Sequence, residues 1–272
     1  MLIRPSGPLS LAAYNLERGL VSLRPLRHRH FDGVIISMPQ SGTHWIRYML
    51  SLILARLHDL PPLSRIGDKS IVGSPKFRQI PRILQTHRPP HYMFRSRTLS
   101  RWLHLPRRLV LVRDIRDSLV SQYEKYNSEY NVDFSAFLRG GVRGKKYSYY
   151  SIWTRIQFLN GWGAVVTRNA EEVAVLKYED LKADTPGQLA RVCDHFDIKG
   201  VTPDLIAAAA AAASKEEMAK RENLRRKTVR GKPAAVRLDP RPADEWYSDA
   251  DRRFVAEVLR RNLKYTFGYR YW

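Results

Sequence analysis

Short apolar runs alternate along the chain with segments whose apolar positions recur at helical spacing. Val34–Met38, Arg82–Thr86, Leu109–Arg113 and Val173–Lys177 read as buried strands. Ile46–Leu57, Ser118–Tyr126, Tyr149–Thr167 and Pro186–Asp194 repeat apolar residues at the spacing of amphipathic helices. Strands alternating with helices predict a parallel sheet covered on both faces, an α/β three-layer sandwich. Ligands in such sheets sit beyond the carboxyl ends of the strands. Chemistry is therefore expected just after Met38, Thr86 and Arg113. Later in the chain, Leu205–Ala213, with its seven-alanine run Ala207–Ala213, predicts one helix with no mechanistic content. The pair Ser248 and Asp251 predicts a capped final helix running to Leu263.

Composition bounds the picture. The 272 residues are 44% hydrophobic and 27% charged, enough to bury a substantial core in one large domain or two small ones. A lone cysteine, Cys193, excludes an intrachain disulfide framework and suits a reducing compartment. No apolar run approaches the roughly 20 residues of a membrane span. The first 33 residues carry arginines throughout and lack an unbroken apolar core, so a secretory signal is not expected. Within them, Leu9–Leu26 predicts a helix packed on the domain, with a membrane-surface segment as the other reading. The formal net charge of +21 attracts polyanions without choosing among them. Nucleic acid, an anionic cofactor, an acidic glycan and an anionic membrane all fit. The segment from Lys215 to Arg237 has nine Lys or Arg against three Glu, and with Gly231 and Pro233 it reads as a basic, partly mobile loop.

The chemistry-bearing residues cluster at the predicted strand ends. After the first strand, Pro39-Gln40-Ser41-Gly42-Thr43 leads into a helix whose N-terminal N–H groups form a phosphate site. It is not the nucleotide-hydrolase loop GxxxxGK[ST], since it has one glycine and no following lysine. After the third strand, Arg113 and Ser121 are placed to converge on a second phosphate, the arginine bidentately. After the second stands His87, whose plain reading at a strand end is a structural histidine, although an imidazole is suited to proton transfer near neutrality. His44 and His91 are the other histidines beside the predicted strand ends.

These segments resemble the PAPS-dependent sulfotransferase family. MPQSGTHW is similar to the family's loop pattern PKSGTTW, with Gln40 in place of the lysine and His44 in place of a threonine. Arg113, Arg116, Asp117 and Ser121 fit R-x-x-R-D-x-x-x-S position by position. PRILQTHRP resembles a segment whose histidine is the general base, with His87 at that histidine and Gln85 where a lysine is usual. Tyr178-Glu179-Asp180-Leu181 resembles Y-E-D/E-L near the adenosine, and Trp45 the tryptophan stacked on adenine. The closing N-L-x-Y…G-Y is present at Asn262–Tyr265 and Gly268-Tyr269. The usual aromatic over the other adenine face is missing before Glu217-Met218, and the R-K-G segment over the 3′-phosphate is poorly preserved, with Arg230-Gly231 or Arg226-Lys227 as its counterpart.

The resemblance covers Phe31 to the C-terminus. It implies a P-loop NTPase-like fold, with residues 1–30 an extension and 31–272 the sulfotransferase domain. It also implies transfer of a sulfuryl group from 3′-phosphoadenosine 5′-phosphosulfate (PAPS) to a hydroxyl or amine, leaving 3′-phosphoadenosine 5′-phosphate (PAP), with no metal expected. The donor site would comprise Gln40, Ser41, Gly42, Thr43, His44, Trp45, Arg113, Ser121, Tyr178, Arg230 and Gly231. His87 and Gln40 would carry the chemistry. Because Gln40 has no charge, three readings stay open: a slower enzyme, compensation by Arg47, Arg88 or His44, or a descendant that only binds. Eleven Lys or Arg from Lys76 to Arg116, against one acid, and the aromatics Tyr147, Tyr149, Tyr150 and Trp153 suit a glycan, lipid or small-molecule acceptor. A cytoplasmic location is expected, with contact at a membrane surface as the other reading. Two other classes stay open: a Mg²⁺-dependent phosphotransferase using Asp114, and a non-catalytic polyanion binder, nucleic acid being the lesser expectation.

Overall fold

The computed structural model describes residues 24–60, 72, 77, 79–140, 151–220 and 242–271. A 3₁₀ turn at Arg24–His30 precedes β1 (Gly33–Ser37), which passes through a short loop into α1 (Thr43–Leu57). β2 (Ile83–Thr86) is followed by a 3₁₀ turn (Tyr92–Arg95) and α2 (Arg97–Trp102). β3 (Arg107–Val112) runs into α3 (Ile115–Tyr130) and α4 (Phe134–Leu138). After α5 (Ile152–Arg168) come β4 (Val173–Lys177), α6 (Tyr178–Ala183), α7 (Thr185–His195), α8 (Pro203–Ala212) and finally α9 (Asp249–Asn262).

The four strands are all parallel, in the order β2-β1-β3-β4. Period-two alternation sorts the side chains onto two faces. Val34, Ile36, Val110 and Val112 point one way and pack with Leu119 and Val120 of α3, Ile156 and Leu159 of α5, and Leu259 of α9. Ile35, Leu109 and Leu111 point the other way, against Ile46, Met49 and Leu50 of α1, Leu189 and Val192 of α7, and Ile206 of α8. This is the three-layer α/β sandwich expected from the alternation. Each buried aliphatic side chain contributes about 1.5–3 kcal/mol, so strands covered on both faces read as unbroken apolar runs.

From β1 the chain turns toward β2, and from β3 toward β4. The two directions diverge between β1 and β3, where the register sets Ser37 level with Leu111. That divergence opens a crevice at the carboxyl end of the sheet.

Several boundaries differ from expectation. β3 starts two residues early because Arg108, a buried cation, is matched by the Glu172 carboxylate at 2.5 Å and the Ser100 hydroxyl at 2.9 Å. α3 begins at Ile115 because Asp114 caps it, accepting from the Arg116 N–H, and it continues through polar residues to Tyr130. α2, α4 and α6 are too short for a periodic signal. Residues 215–220 are helical rather than loop, while 221–241, with Arg230 and Gly231, lie outside the described residues. So do Tyr147, Tyr149 and Tyr150, and all of Leu9–Leu26 before Arg24. Trp153 packs against the apolar core rather than belonging to the crevice. Cys193 is buried, and burial pushes its thiol up to about 12, leaving it protonated and inert. Among the described residues no helix is long and apolar enough to cross a membrane.

Candidate functional site

The crevice holds a cavity of about 460 Å³. Its floor is the loop between β1 and α1. Two left-handed positions flanking Ser41 shape that loop: Gln40 at φ 59° and Gly42 at φ 89°. Glycine is required at 42 on two counts, since a Cβ there would stand 2.8 Å from the Tyr178 ring and the backbone region is left-handed. Gln40 holds the same region as a non-glycine residue. Such strain costs on the order of 1–3 kcal/mol and persists only where the surroundings hold it. Here they do, because Arg113 Nη1 donates to the Gln40 carbonyl at 3.0 Å and the Gln40 amide donates to Gln122 Oε1 at 3.1 Å.

The loop is anchored from below as well. Ser41 is fully buried and donates to the Met38 carbonyl at 2.6 Å, so its hydroxyl faces the core rather than the cavity. Ser118 donates to the Pro39 carbonyl at 2.7 Å and accepts from buried Arg155 Nε at 2.7 Å. The Trp45 and Ile46 N–H groups close onto the Gly42 carbonyl. The helical ladder thus starts at Gly42, which sets the Thr43 and His44 N–H groups at the helix N-terminus, beside the positive end of its dipole. Thr43 and His44 line the cavity at this point.

One wall is aromatic. The Arg113 guanidinium lies 4.4 Å from the centroid of the Tyr178 ring and 3.8 Å from the Asp117 carboxylate. Trp45 meets Tyr178 edge-on at 6.2 Å, and its indole N–H donates to the Ala213 carbonyl at 2.8 Å. Ala213 is the C-cap of α8, where helix carbonyls lack intrahelical partners. The alanine run, read from sequence as mechanistically empty, therefore ends by fixing a cavity aromatic. Met218 lines the same end, from the Glu217-Met218 pair where an aromatic is missing. Glu179 ties this wall to two other elements, accepting from the Asp114 N–H at 3.2 Å and from the Tyr269 hydroxyl at 2.5 Å.

The opposite end holds His87. Its Nδ1 lies 2.8 Å from the Ser37 carbonyl, an acceptor, so Nδ1 carries the proton in the neutral ring and Nε2 keeps its lone pair. The Gln85 amide nitrogen stands 3.0 Å from Nε2 and donates to it. Burial of the ring lowers the His87 pKa; the Ser37 carbonyl works against this, and the charges of Arg47 and Lys125 reinforce it. His87 remains solvent-accessible on the cavity side, so the desolvation comes from the crowded inner edge of the ring.

The structure thus brings Gln40, Gly42, Thr43, His44, Trp45, His87, Arg113, Ser121 and Tyr178 to one cavity. It does not bring the Ser41 side chain there. Neither Arg47, buried in α1, nor Arg88 is in the lining, and His91 caps the turn at Tyr92–Arg95. Arg116 turns away to pair with Asp114 at 2.7 Å. Asp117, Gln122, Lys125, Tyr126, Glu179 and Lys182 also face the cavity. The α3 residues among them share a helix face with Ser121, a signal readable only once α3 is placed. Burial raises the Asp117 pKa, with Asp114 and Glu179 adding to the rise and Arg113 opposing it.

Comparison with known proteins shows the fold and the family. The chain is 29% identical over 189 residues to mouse sulfotransferase 2A6, covering 64% of this chain and 61% of that protein. It is 28% identical over 185 residues to guinea-pig 3-alpha-hydroxysteroid sulfotransferase, covering 62% and 59%. The chain thus spans less than two thirds of these relatives' length. Among solved structures, mouse sulfotransferase SULT7A1 complexed with PAP shares the fold at TM-score 0.52 and 21% identity, over 89% of both chains. Retinol dehydratase in complex with androsterone and PAP does so at TM-score 0.59 and 17% identity, over 90% of this chain and 84% of that one. The sulfotransferase domain family itself matches residues 31–235, from the start of the sheet past the cavity's last described wall, and the chain belongs to that family.

Proposed function

We propose that the cavity binds PAPS and that the chain transfers its sulfuryl group to an acceptor hydroxyl. The observation that carries this reading is the convergence, in one cavity, of an α1 N-terminus, a guanidinium from the end of β3 and an imidazole whose unprotonated Nε2 accepts, among the described residues, only from the Gln85 amide. Thr43 and His44 N–H groups would take the 5′-phosphosulfate, and Arg113 with Ser121 the 3′-phosphate. Trp45 and Tyr178 would receive the adenine. A relative named 3-alpha-hydroxysteroid sulfotransferase, and neighbours holding PAP, support this assignment.

The chemistry follows from the positions. An acceptor hydroxyl displaces the Gln85 amide from His87 Nε2 and gives its proton to that nitrogen. The acceptor oxygen then forms its bond to sulfur as the bond from sulfur to the bridging phosphate oxygen breaks. The electron pair leaves on that oxygen, giving PAP and a sulfate ester. The helix dipole and N–H groups stabilise charge developing at the leaving phosphate. Asp114, the residue a Mg²⁺-dependent phosphotransferase would use, caps α3 and pairs with Arg116 outside the cavity lining, which disfavours that alternative.

The test is transfer of label from [³⁵S]PAPS to a panel comprising a 3α-hydroxysteroid, retinol, a simple phenol and an acidic glycan. Labelled product from at least one hydroxyl acceptor without added Mg²⁺ is expected. No transfer to any, or transfer of phosphate from ATP instead, would overturn the reading.

A further inference from the structure

In-line displacement at sulfur places negative charge on the transferring oxygens and on the departing phosphate, and a water-excluding site needs positive charge aimed there. Gln40, in the loop before α1, and Gln85, beside His87, are both neutral side chains. Gln85 donates to His87 Nε2 at 3.0 Å. Gln40 donates to Gln122 Oε1, and Gln122 in turn donates to the buried Tyr130 hydroxyl at 2.7 Å. This relay holds Gln40 against α3.

α3 brings a cation to the same place. Ser121, Gln122 and Lys125 lie on one face of the helix, one turn apart, and all line the cavity. Lys125 is three residues from Gln122, the partner that holds Gln40. It is half-buried, with its ammonium 5.5 Å from the Tyr126 ring centroid. The other described cations of the lining belong to the opposite end. Arg113 is stacked on Tyr178. Lys182 comes from α6, which carries Tyr178, and Lys215 follows Ala213, the residue that holds Trp45. Arg47 is close enough to bear on His87 but is buried in α1 and outside the lining.

Resting on the sulfuryl-transfer reading above, we propose that Lys125 is a catalytic residue, supplying at the transferring sulfuryl group the positive charge that Gln40 and Gln85 do not carry. The ammonium keeps its proton throughout: it binds sulfuryl oxygens as the S–O bond to phosphate breaks, while the acceptor proton still goes to His87. Its effect on the His87 ring in the resting protein is in accord with this position. The division of labour differs from a loop that carries its own cation. Here the loop supplies backbone N–H groups and the neighbouring helix supplies the charge.

The experiment measures kcat with [³⁵S]PAPS, and PAP affinity by calorimetry, for wild type, Lys125→Gln, Lys125→Arg and the double variant Gln40→Lys/Lys125→Gln. Lys125→Gln is expected to lower kcat on the order of 100-fold, with PAP affinity within about twofold because PAP lacks the sulfuryl group. Lys125→Arg retains most of the rate, and Gln40→Lys restores at least about tenfold in the Lys125→Gln background, since one cation is returned to the same place. Unchanged kcat in Lys125→Gln overturns the proposal, and so does a loss of PAP affinity parallel to the loss of rate or the absence of rescue by both second variants. A His87→Ala variant run alongside separates the two levels. Full activity in that variant removes the base assignment and leaves the Lys125 result readable. No turnover by wild type overturns both.

Discussion

Replacing His87 by alanine is expected to lower kcat by roughly 10²- to 10⁴-fold, the usual contribution of a positioned general base, while PAP affinity stays within about twofold. The split follows from geometry. His87 hangs from the end of β2, with Nδ1 fixed by the Ser37 carbonyl, and approaches the cavity from the side away from Arg113, Trp45 and Tyr178. Its removal leaves the nucleotide contacts intact. The same residue sets the pH dependence. Only the neutral imidazole is a base, and its pKa is lowered below 6.5. The base-competent form therefore persists to lower pH than in an exposed histidine. kcat/KM should rise with pH on an acid limb lying below 6.5 and be flat through neutrality on that side. Steady-state rates of wild type and His87→Ala across acidic and neutral pH check both statements. A limb above neutrality, or one surviving in His87→Ala, would assign the proton transfer elsewhere.

Arg113→Ala carries the second large effect, on binding. A guanidinium meeting a phosphate forms charge-assisted, bidentate hydrogen bonds worth about 1.5–3 kcal/mol each relative to their loss. Arg113 also holds the Gln40 carbonyl and covers Tyr178. Removing it frees the strained loop and one adenine-side wall together. PAP affinity is expected to fall by about 100-fold, taking 1.4 kcal/mol per tenfold. Arg113→Lys should recover only part of this, since an ammonium neither forks nor stacks in the same way. Calorimetric titration of the three proteins decides it, with thermal unfolding showing that each is folded. Equal affinities would place the 3′-phosphate elsewhere.

The sheet, its parallel sense and the β1–α1 loop were legible from apolar periodicity, because strands buried on both faces leave unbroken runs such as Val34–Ile36. The loop's backbone course was legible too, since glycine at 42 and a helix start at Thr43 are local properties. What stayed hidden depends on which helix faces meet. Lys125 reads in sequence as one more charge on a polar helix, and Gln122 as an ordinary surface amide. Only the packing of α3 beside the loop shows that both face the cavity. Ala213 was invisible for a related reason: its contribution is a backbone carbonyl, which any residue would carry. At Ser41 the tight turn directs the hydroxyl to the Met38 carbonyl, so only its backbone N–H can serve the expected phosphate site. The substitution at Gln40 was read directly, but the relay through Gln122 to Tyr130 that holds it was not.

The account rests on the cavity being a site for a bisphosphorylated adenosine. Calorimetric titration of the wild-type chain with PAP, in the absence of Mg²⁺ and at moderate salt, tests that most directly. Saturable one-to-one binding is expected, with ATP competing weakly because it lacks the 3′-phosphate that Arg113 and Ser121 would hold. Absence of saturable PAP binding, or equal binding of ATP only when Mg²⁺ is present, would contradict it.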